Sequence, residues 1–446
     1  MSVFSEWIKK SGTSEVECLV PDMSGVARGK IVPAGKFVNI AENRGLRLPE
    51  SIFVQTITGD YPEEDVTSVA NGDVYLRPVP ETIRQVPWYD EPTACVICDC
   101  AYLDGRPVEI SPRNVLKRVL DLYDARGWKP IVAPEIEFFL VKQNTDSDYP
   151  LEPPVGRSGR AESGRPAYGV DAVNEFEGLF DQLYAYAEVM GLDIDTLSHE
   201  AGNGQMEVNF DHGEALELAD QVFLFKRTVR QVAMRRGVYA TFMAKPMQNE
   251  PGSAMHIHQN VVDRATGRNL FANDDGSDTP LFRHFIGGLR KYLPQMMLMF
   301  APNVNSFRRL VPDFDAPINL HWSRDNRTVG LRVPESGQGA RRVENRLAGA
   351  DANPYLAIAG SLACGYLGMI KEVDPGEPLS GSGYTRAHSL PWHMHDALEK
   401  LKGARSVREI LGEDFCEAYM AVKETEWGAY QRVVSSWERE YLLLNV

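Results

Sequence analysis

The chain is poor in cysteine, has no excess of basic charge and contains no long uninterrupted apolar run. Six cysteines in 446 residues are too few for a disulfide framework. Cys95, Cys98 and Cys100 cluster, but they sit in a segment that reads as an apolar strand and lack the second ligand pair of a structural zinc site. Lys and Arg total 47 against 62 Asp and Glu, a formal charge of -15. That balance excludes the clustered basic footprint of nucleic-acid binding, serves solubility and mildly favours a cationic substrate. The longest apolar stretch, residues 353–370, is diluted by Gly, Ala and Ser and flanked by charge, so a buried helix is expected, not a membrane span. The first ten residues lack the basic start and apolar core of a signal peptide, and a cytoplasmic location is expected. Also missing are a Walker sequence, a G-x-S-x-G elbow, a Gly-rich dinucleotide fingerprint, internal repeats and low-complexity tracts.

What is present suits two or three structural units. Residues 1–109 form short segments punctuated by Gly and Pro. Strands are expected at 16–21, 52–58, 74–78 and 95–100, with a hairpin over 22–30. Residues 110–446 read as an α+β unit. Ser111 and Pro112 mark a helix start, a strand follows over 130–141, and 143–170 is a long loop. A helix over 174–190, a strand–turn–strand over 192–210, a helix over 215–236 and a strand over 239–244 come next.

Four separate strand-like segments offer charged ligands. Glu135 and Glu137 are two residues apart, so on a strand they leave the same face. Their neighbours are apolar, and two carboxylates on a buried strand need a compensating cation. Glu200 and Glu207 flank a Gly-containing turn that can return both to one point. His256 and His258 share a face, as do Arg342, Glu344 and Arg346; Arg327 and Arg332 lie just upstream, after Arg308 and Arg309. Hard oxygen ligands select Mg²⁺ or Mn²⁺, and arginines neutralise phosphoryl groups and clamp carboxylates. The combination points to phosphoryl transfer, which needs mainly positioning and charge neutralisation.

Six motifs in order resemble the glutamine synthetase superfamily of the bacterial type I-like architecture: Glu135-Ile-Glu-Phe, Glu200-Ala-Gly-Asn-Gly-Gln-Met-Glu, Gly252-Ser-Ala-Met-His-Ile-His-Gln, Asn305-Ser-Phe-Arg-Arg-Leu-Val-Pro, Asn326-Arg-Thr-Val-Gly-Leu-Arg-Val-Pro and Arg341-Arg-Val-Glu-Asn-Arg. The resemblance spans nearly the whole chain. It implies a small β-grasp-like N-terminal domain (1–109) and a catalytic domain with a curved antiparallel sheet (110–446). It also implies a homo-oligomer of stacked rings, a dodecamer, with active sites at subunit interfaces. Activity would be ATP-dependent ligation of glutamate to a nitrogen nucleophile through a γ-glutamyl phosphate. Carried over by position, Glu137, Glu200 and Glu207 would hold one divalent cation, and Glu135, His256 and Glu344 a second. His258, Asn260 and Arg342 would face the nucleotide. Arg309, Arg346 and Gly252 would bind glutamate, and Arg327 and Arg332 would stabilise the phosphoryl group.

The chain departs from that pattern in three places. Pro251 replaces the usual Asn before Gly252, removing one glutamate contact. In the flap over glutamate, Asp315 stands where the family has Glu, one methylene shorter. No Asp aligns in the N-terminal loop around Glu50 that completes the ammonium pocket in ammonia-using members. These changes imply a different nitrogen substrate, with Asp315 as the group that takes a proton from it. The run from Arg342 most resembles the γ-glutamylputrescine-forming, polyamine-catabolic branch. Ammonia and a small monoamine are the alternatives. The distal ammonium of a diamine needs an acidic or aromatic partner near the entrance, for which Glu50 and Asp60 are candidates.

Overall fold

The computed structural model describes residues 2–62, 66, 72–312 and 314–446. The N-terminal sheet contains β1 (Glu15–Pro21), β2 (Ala27–Pro33), β3 (Leu46–Pro49), β4 (Asp73–Pro78), β5 (Arg84–Val86) and β6 (Thr93–Ala101). Its order is β2-β1-β6-β4-β3, with β5 also on β6. The first and last strands, β1 and β6, run parallel at the centre, a β-grasp-like arrangement. The β1–β2 hairpin falls where the sequence predicts it. The strand expected at 52–58 does not form: Glu50–Val54 is a 3₁₀ turn. Pro49 breaks the extension, and Phe53 and Val54 reach the core from the turn. A short apolar run alone does not separate these outcomes. Cys95, Cys98 and Cys100 lie in the buried interior of β6.

The second sheet is built on β7 (Trp128–Lys142), β8 (Ile194–His199), β9 (Gln205–Phe210), β10 (Gly213–Glu214), β11 (Val238–Thr241), β12 (Met255–Asp263), β13 (Trp322–Arg324), β14 (Leu331–Val333) and β15 (Val343–Asn345). The order is β13-β14-β15-β12-β7-β9-β8, with β10 and β11 pairing the two ends of the long β7. The expected antiparallel sheet forms, except that β13 and β14 run parallel. The predicted 174–190 helix forms as Glu177–Met190, and a separate short helix, Val170–Asn174, precedes it, with Phe176 outside helical geometry between them. Strand 239–244 stops at Thr241. Ser111 occupies the N-cap of Pro112–Asp124 with extended backbone, but its hydroxyl makes no capping bond.

The apolar run becomes the helix Pro354–Ile370, buried along nearly its whole length. Its small residues serve a close crossing with Pro280–Tyr292: a Cβ on Gly368 would lie 2.5 Å from the Gly288 Cα. Among the described residues no helix is long and apolar enough to cross a membrane. Buried charges tie the first sheet to the helices Pro112–Asp124 and Ala215–Arg235. Arg113 binds Asp220 at 2.9 and 3.0 Å and also pairs with Asp99 of β6. Arg227 donates to Glu17 of β1 at 2.8 Å. Partners buried this deeply are costly to remove singly, because the remaining charge is stranded.

Candidate active site

Strand register assembles the site. Across the sheet, Arg332 of β14 stands opposite Glu344 of β15, and Glu344 opposite His258 of β12. One step along, His256 opposes Glu135 of β7, and Glu137 opposes Glu207 of β9. Because side chains alternate, these residues share one face. That face is the one the sequence periodicity assigns to Glu135 and Glu137.

One ligand cluster is compact. Glu135, His256 and Glu344 each bring a ligand atom within 4.8 Å of the others. His256 Nδ1 is 2.8 Å from Glu135 Oε1 and 3.6 Å from Glu344 Oε1. Glu344 also accepts from Arg332 at 2.9 Å and from Arg346. Burial alone would raise the Glu344 carboxyl; Arg346 and the histidines outweigh it and hold it at about 2.

The other carboxylates behave differently. Glu137 Oε2 accepts from Gln205 Nε2 at 3.0 Å and from the Ala254 amide at 2.9 Å. Burial and the charge of Glu200 push Glu137 up to about 8. Burial, then Glu135, Glu137 and Glu200, push Glu207 up to about 10. Glu200 is raised as well, first by burial. Among the described residues, Glu137, Glu200 and Glu207 form no ion pair. Buried carboxylates that repel one another and lack a cationic partner fit a divalent cation with oxygen ligands. The same donor chemistry, with one imidazole, fits a second cation at Glu135, His256 and Glu344.

Two cavities meet at this face. One, of about 590 Å³, is bordered by His258, Asn260, Arg332, Arg342 and the edge of β9. The other, of about 230 Å³, is bordered by Glu137, Glu200, Gly252, Arg309, Asp315 and Arg346. Glu135, Tyr168, Glu207 and Arg327 line both. Each residue expected to bind cation, nucleotide, glutamate or phosphoryl group therefore borders one of these cavities or, as Glu344 does, bonds to side chains that do. Arg309 is fully enclosed and donates to the carbonyls of Arg346 and Leu347 at 2.8 and 3.0 Å. Gly252 is a glycine for want of room: a Cβ there would sit 2.5 Å from Arg309 Cγ. Pro251 lines the smaller cavity.

Asp315 is exposed at the rim of the smaller cavity, and both it and Phe314 have left-handed backbone, φ 56° and 50°. Its neighbour Asp313 lies outside the described residues. Glu50 and Asp60 do not line this cavity. Glu50 is buried and accepts from the Tyr102 hydroxyl at 2.6 Å. Asp60 closes its own turn by accepting from Thr58 at 2.8 Å.

Some supporting residues escape sequence reasoning. His199 is buried, with Nδ1 2.7 Å from the Glu200 carbonyl and Nε2 3.1 Å from Glu162, while Glu162 accepts the Gly204 amide at 2.6 Å. This network braces the turn between Glu200 and Glu207. Tyr168, left-handed at φ 59°, is bonded through its amide to the His199 carbonyl at 2.8 Å. Glu162 and Tyr168 come from the long loop, where the sequence carries no periodic signal. Gln205 lies inside the motif already singled out, and it reaches Glu137 from the adjacent strand, 68 positions away.

The glutamine synthetase catalytic-domain model matches residues 109–442. This protein belongs to the glutamine synthetase family. Members of that family are carbon–nitrogen ligases. The γ-glutamylputrescine synthetase of Escherichia coli is 33% identical over 455 aligned positions, covering 100% of this chain and 96% of that one. A glutamate–isopropylamine ligase of a Pseudomonas species is 31% identical, covering 97% and 95%. Among solved structures, a GmaS chain in complex with ADP superposes with a TM-score of 0.87 at 29% identity, covering 99% of this chain and 100% of that one.

Proposed function

We propose that the protein joins the γ-carboxylate of glutamate to an organic amine, putrescine or another polyamine, through a γ-glutamyl phosphate formed from ATP. The observation that carries this reading is the pair of cavities sharing Glu135, Tyr168, Glu207 and Arg327. The larger, with His258, Asn260 and Arg342, suits a nucleotide, and the smaller, with Arg309 and Arg346, suits glutamate. A carboxylate is a poor acyl donor because oxide is a poor leaving group; phosphorylation supplies a good one. Arg327 faces both cavities and Arg332 the larger, where positive charge stabilises a phosphoryl group in transfer. Mg²⁺ or Mn²⁺ at Glu135, His256, Glu344 and at Glu137, Glu200, Glu207 would neutralise charge on the phosphates and on the acceptor carboxylate.

The nitrogen nucleophile must attack as the neutral amine, whereas a free alkylamine is protonated near neutral pH. Asp315 is the group on the flap that takes that proton. Its side chain is one methylene shorter than Glu, which leaves room for an alkyl substituent behind the attacking nitrogen. The resemblance to amine ligases supports an organic amine over ammonia. An exposed apolar C-terminus, including Trp437, Leu443 and Leu444, the last 91% exposed, supports assembly into the stacked-ring homo-oligomer, a dodecamer. Two separate sheets support the division into 1–109 and 110–446, and six buried unpaired cysteines suit a reducing cytoplasm.

The test is a panel of amines with purified protein, glutamate, ATP and Mg²⁺, read by phosphate release and product mass. ADP, phosphate and a γ-glutamyl polyamine are expected. Ammonium as the best donor would assign glutamine synthetase activity instead, an isolated monoamine preference would assign a monoamine ligase, and AMP with pyrophosphate would exclude the acyl-phosphate route.

A further inference from the structure

The turn Gly383–Thr385 lies outside every segment assigned a role above, yet it is bonded to two active-site loops. Its Gly383 amide donates to Thr328 Oγ1 at 2.7 Å, directly after Arg327. The Gly383 carbonyl accepts from Asn319 Nδ2 at 2.9 Å, at the far end of the flap. The Tyr384 hydroxyl donates to the carbonyl of buried Ala316 at 3.1 Å, one residue after Asp315. The approach to Thr328 is too close for a side chain: a Cβ on Gly383 would lie 2.2 Å from the Thr328 carbonyl oxygen.

The flap itself needs such support. Phe314 and Asp315 are consecutive left-handed residues, each about 1–2 kcal/mol above right-handed geometry for residues with a Cβ. That conformation persists only if neighbours impose it. Two side chains bond to it: Arg346 donates to the Asp315 carbonyl at 3.3 Å, and Tyr384 to the next carbonyl.

We propose that Gly383–Thr385 is a clip that sets the flap and the Arg327 loop in one relative position, with Tyr384 as the positioning residue for Asp315. The inference rests on the reading of Asp315 and Arg327 given above. It predicts that proton acceptor and phosphoryl-binding arginine are held in register by a segment that touches neither substrate. Loss of the clip lets the flap leave the rim, so water reaches the acyl phosphate before the amine does.

The experiment compares the full-length protein with Tyr384→Phe and Gly383→Ala. Hydrogen–deuterium exchange of peptides over 310–320 and 325–330 reads the clip without reference to any substrate. Tyr384→Phe removes the bond to the Ala316 carbonyl, and exchange over 310–320 is expected to rise about three- to tenfold. Exchange over β7 and over Pro354–Ile370 is expected to stay as in the parent. Gly383→Ala is expected to loosen both loops. With substrates, Tyr384→Phe is expected to raise the amine KM and the ratio of phosphate to amide formed, with the ATP KM unchanged. Unchanged exchange over 310–320 in Tyr384→Phe overturns the clip. Faster exchange with an unchanged ratio overturns the positioning of Asp315. A uniform fall in all kinetic parameters with a lowered Tm also overturns it, as a purely structural role. If the parent forms no amide with any amine, the functional reading fails, and the exchange data still decide whether the clip exists.

Discussion

Arg342 Nε lies 3.1 Å from His258 Nδ1. A guanidinium only donates, so Nδ1 of this imidazole carries the lone pair and Nε2 carries the proton. Nε2 faces Glu135 Oε2 at 3.5 Å. His258 thereby turns its donor toward Glu135, whereas His256 sits within the ligand cluster itself.

Replacing Arg342 by Met removes a charged donor and frees the tautomer. A hydrogen bond to a charged group is worth about 1.5–3 kcal/mol, so the ATP KM is expected to rise about ten- to a hundredfold. The glutamate KM should change little, since Arg342 lines only the larger cavity. Equal effects on both substrates would place Arg342 elsewhere in the mechanism.

Glu137→Ala and Glu344→Ala are both expected to lower turnover by orders of magnitude under saturating Mg²⁺, but their stabilities should diverge. Glu344 pairs with Arg332 and Arg346, and removing it strands buried charge at a cost of about 3–5 kcal/mol. Glu137 is one of several mutually repelling carboxylates, so Glu137→Gln should raise the Tm of protein held in EDTA while abolishing activity. Thermal scans with and without EDTA check this. A lower Tm for Glu137→Gln in EDTA would mean that its bonds to Gln205 and Ala254 outweigh the repulsion.

Asp315→Ala is expected to lose most amide synthesis, while glutamate-dependent ATP cleavage is retained in part. Asp315→Glu is expected to shift kcat/KM from polyamine toward ammonium by refilling the space behind the nitrogen. The amine panel repeated on both variants gives the answer; an unaltered ratio in Asp315→Glu removes side-chain length as the determinant.

Lys226 offers a stability test far from catalysis. Its ammonium is fully buried and donates to the Ala352 carbonyl at 2.7 Å. Burial, then Arg230, pushes its pKa from 10.5 down to about 7. The unfolded chain therefore binds more protons between these values, and this group costs stability progressively as pH falls from about 10.5 to about 7. Lys226→Met should gain on the parent across that window, by an amount on the order of a few kcal/mol less about 1 kcal/mol for the lost hydrogen bond. Parallel Tm curves for parent and variant between pH 7 and 10 would show that the lysine is not depressed in the folded state.

The sequence was most legible where one period decides orientation. The two-residue spacing of Glu135 and Glu137, and of His256 and His258, put both pairs on a common face, and the sheet bears this out. Cross-strand partners were not legible, because register depends on residues far apart in the chain. His199 bonds Glu162 from 37 positions away, and Tyr384 bonds Ala316 from 68. The same blindness explains Glu50. Its place in the N-terminal loop suggested a substrate contact, and only tertiary packing reveals it beneath Tyr102. At 52–58, a Pro and a local turn overrode the apolar pattern.

The two cavities touch through four side chains and otherwise differ in construction. The walls of the larger are mostly strand residues fixed by neighbouring ladders, whereas the outer rim of the smaller is flap and loop, Pro251 and Phe314 to Ala316. Those rim residues line only the smaller cavity. A lineage built on this plan can exchange one nitrogen nucleophile for another by a few loop substitutions, without re-evolving the machinery that energises glutamate.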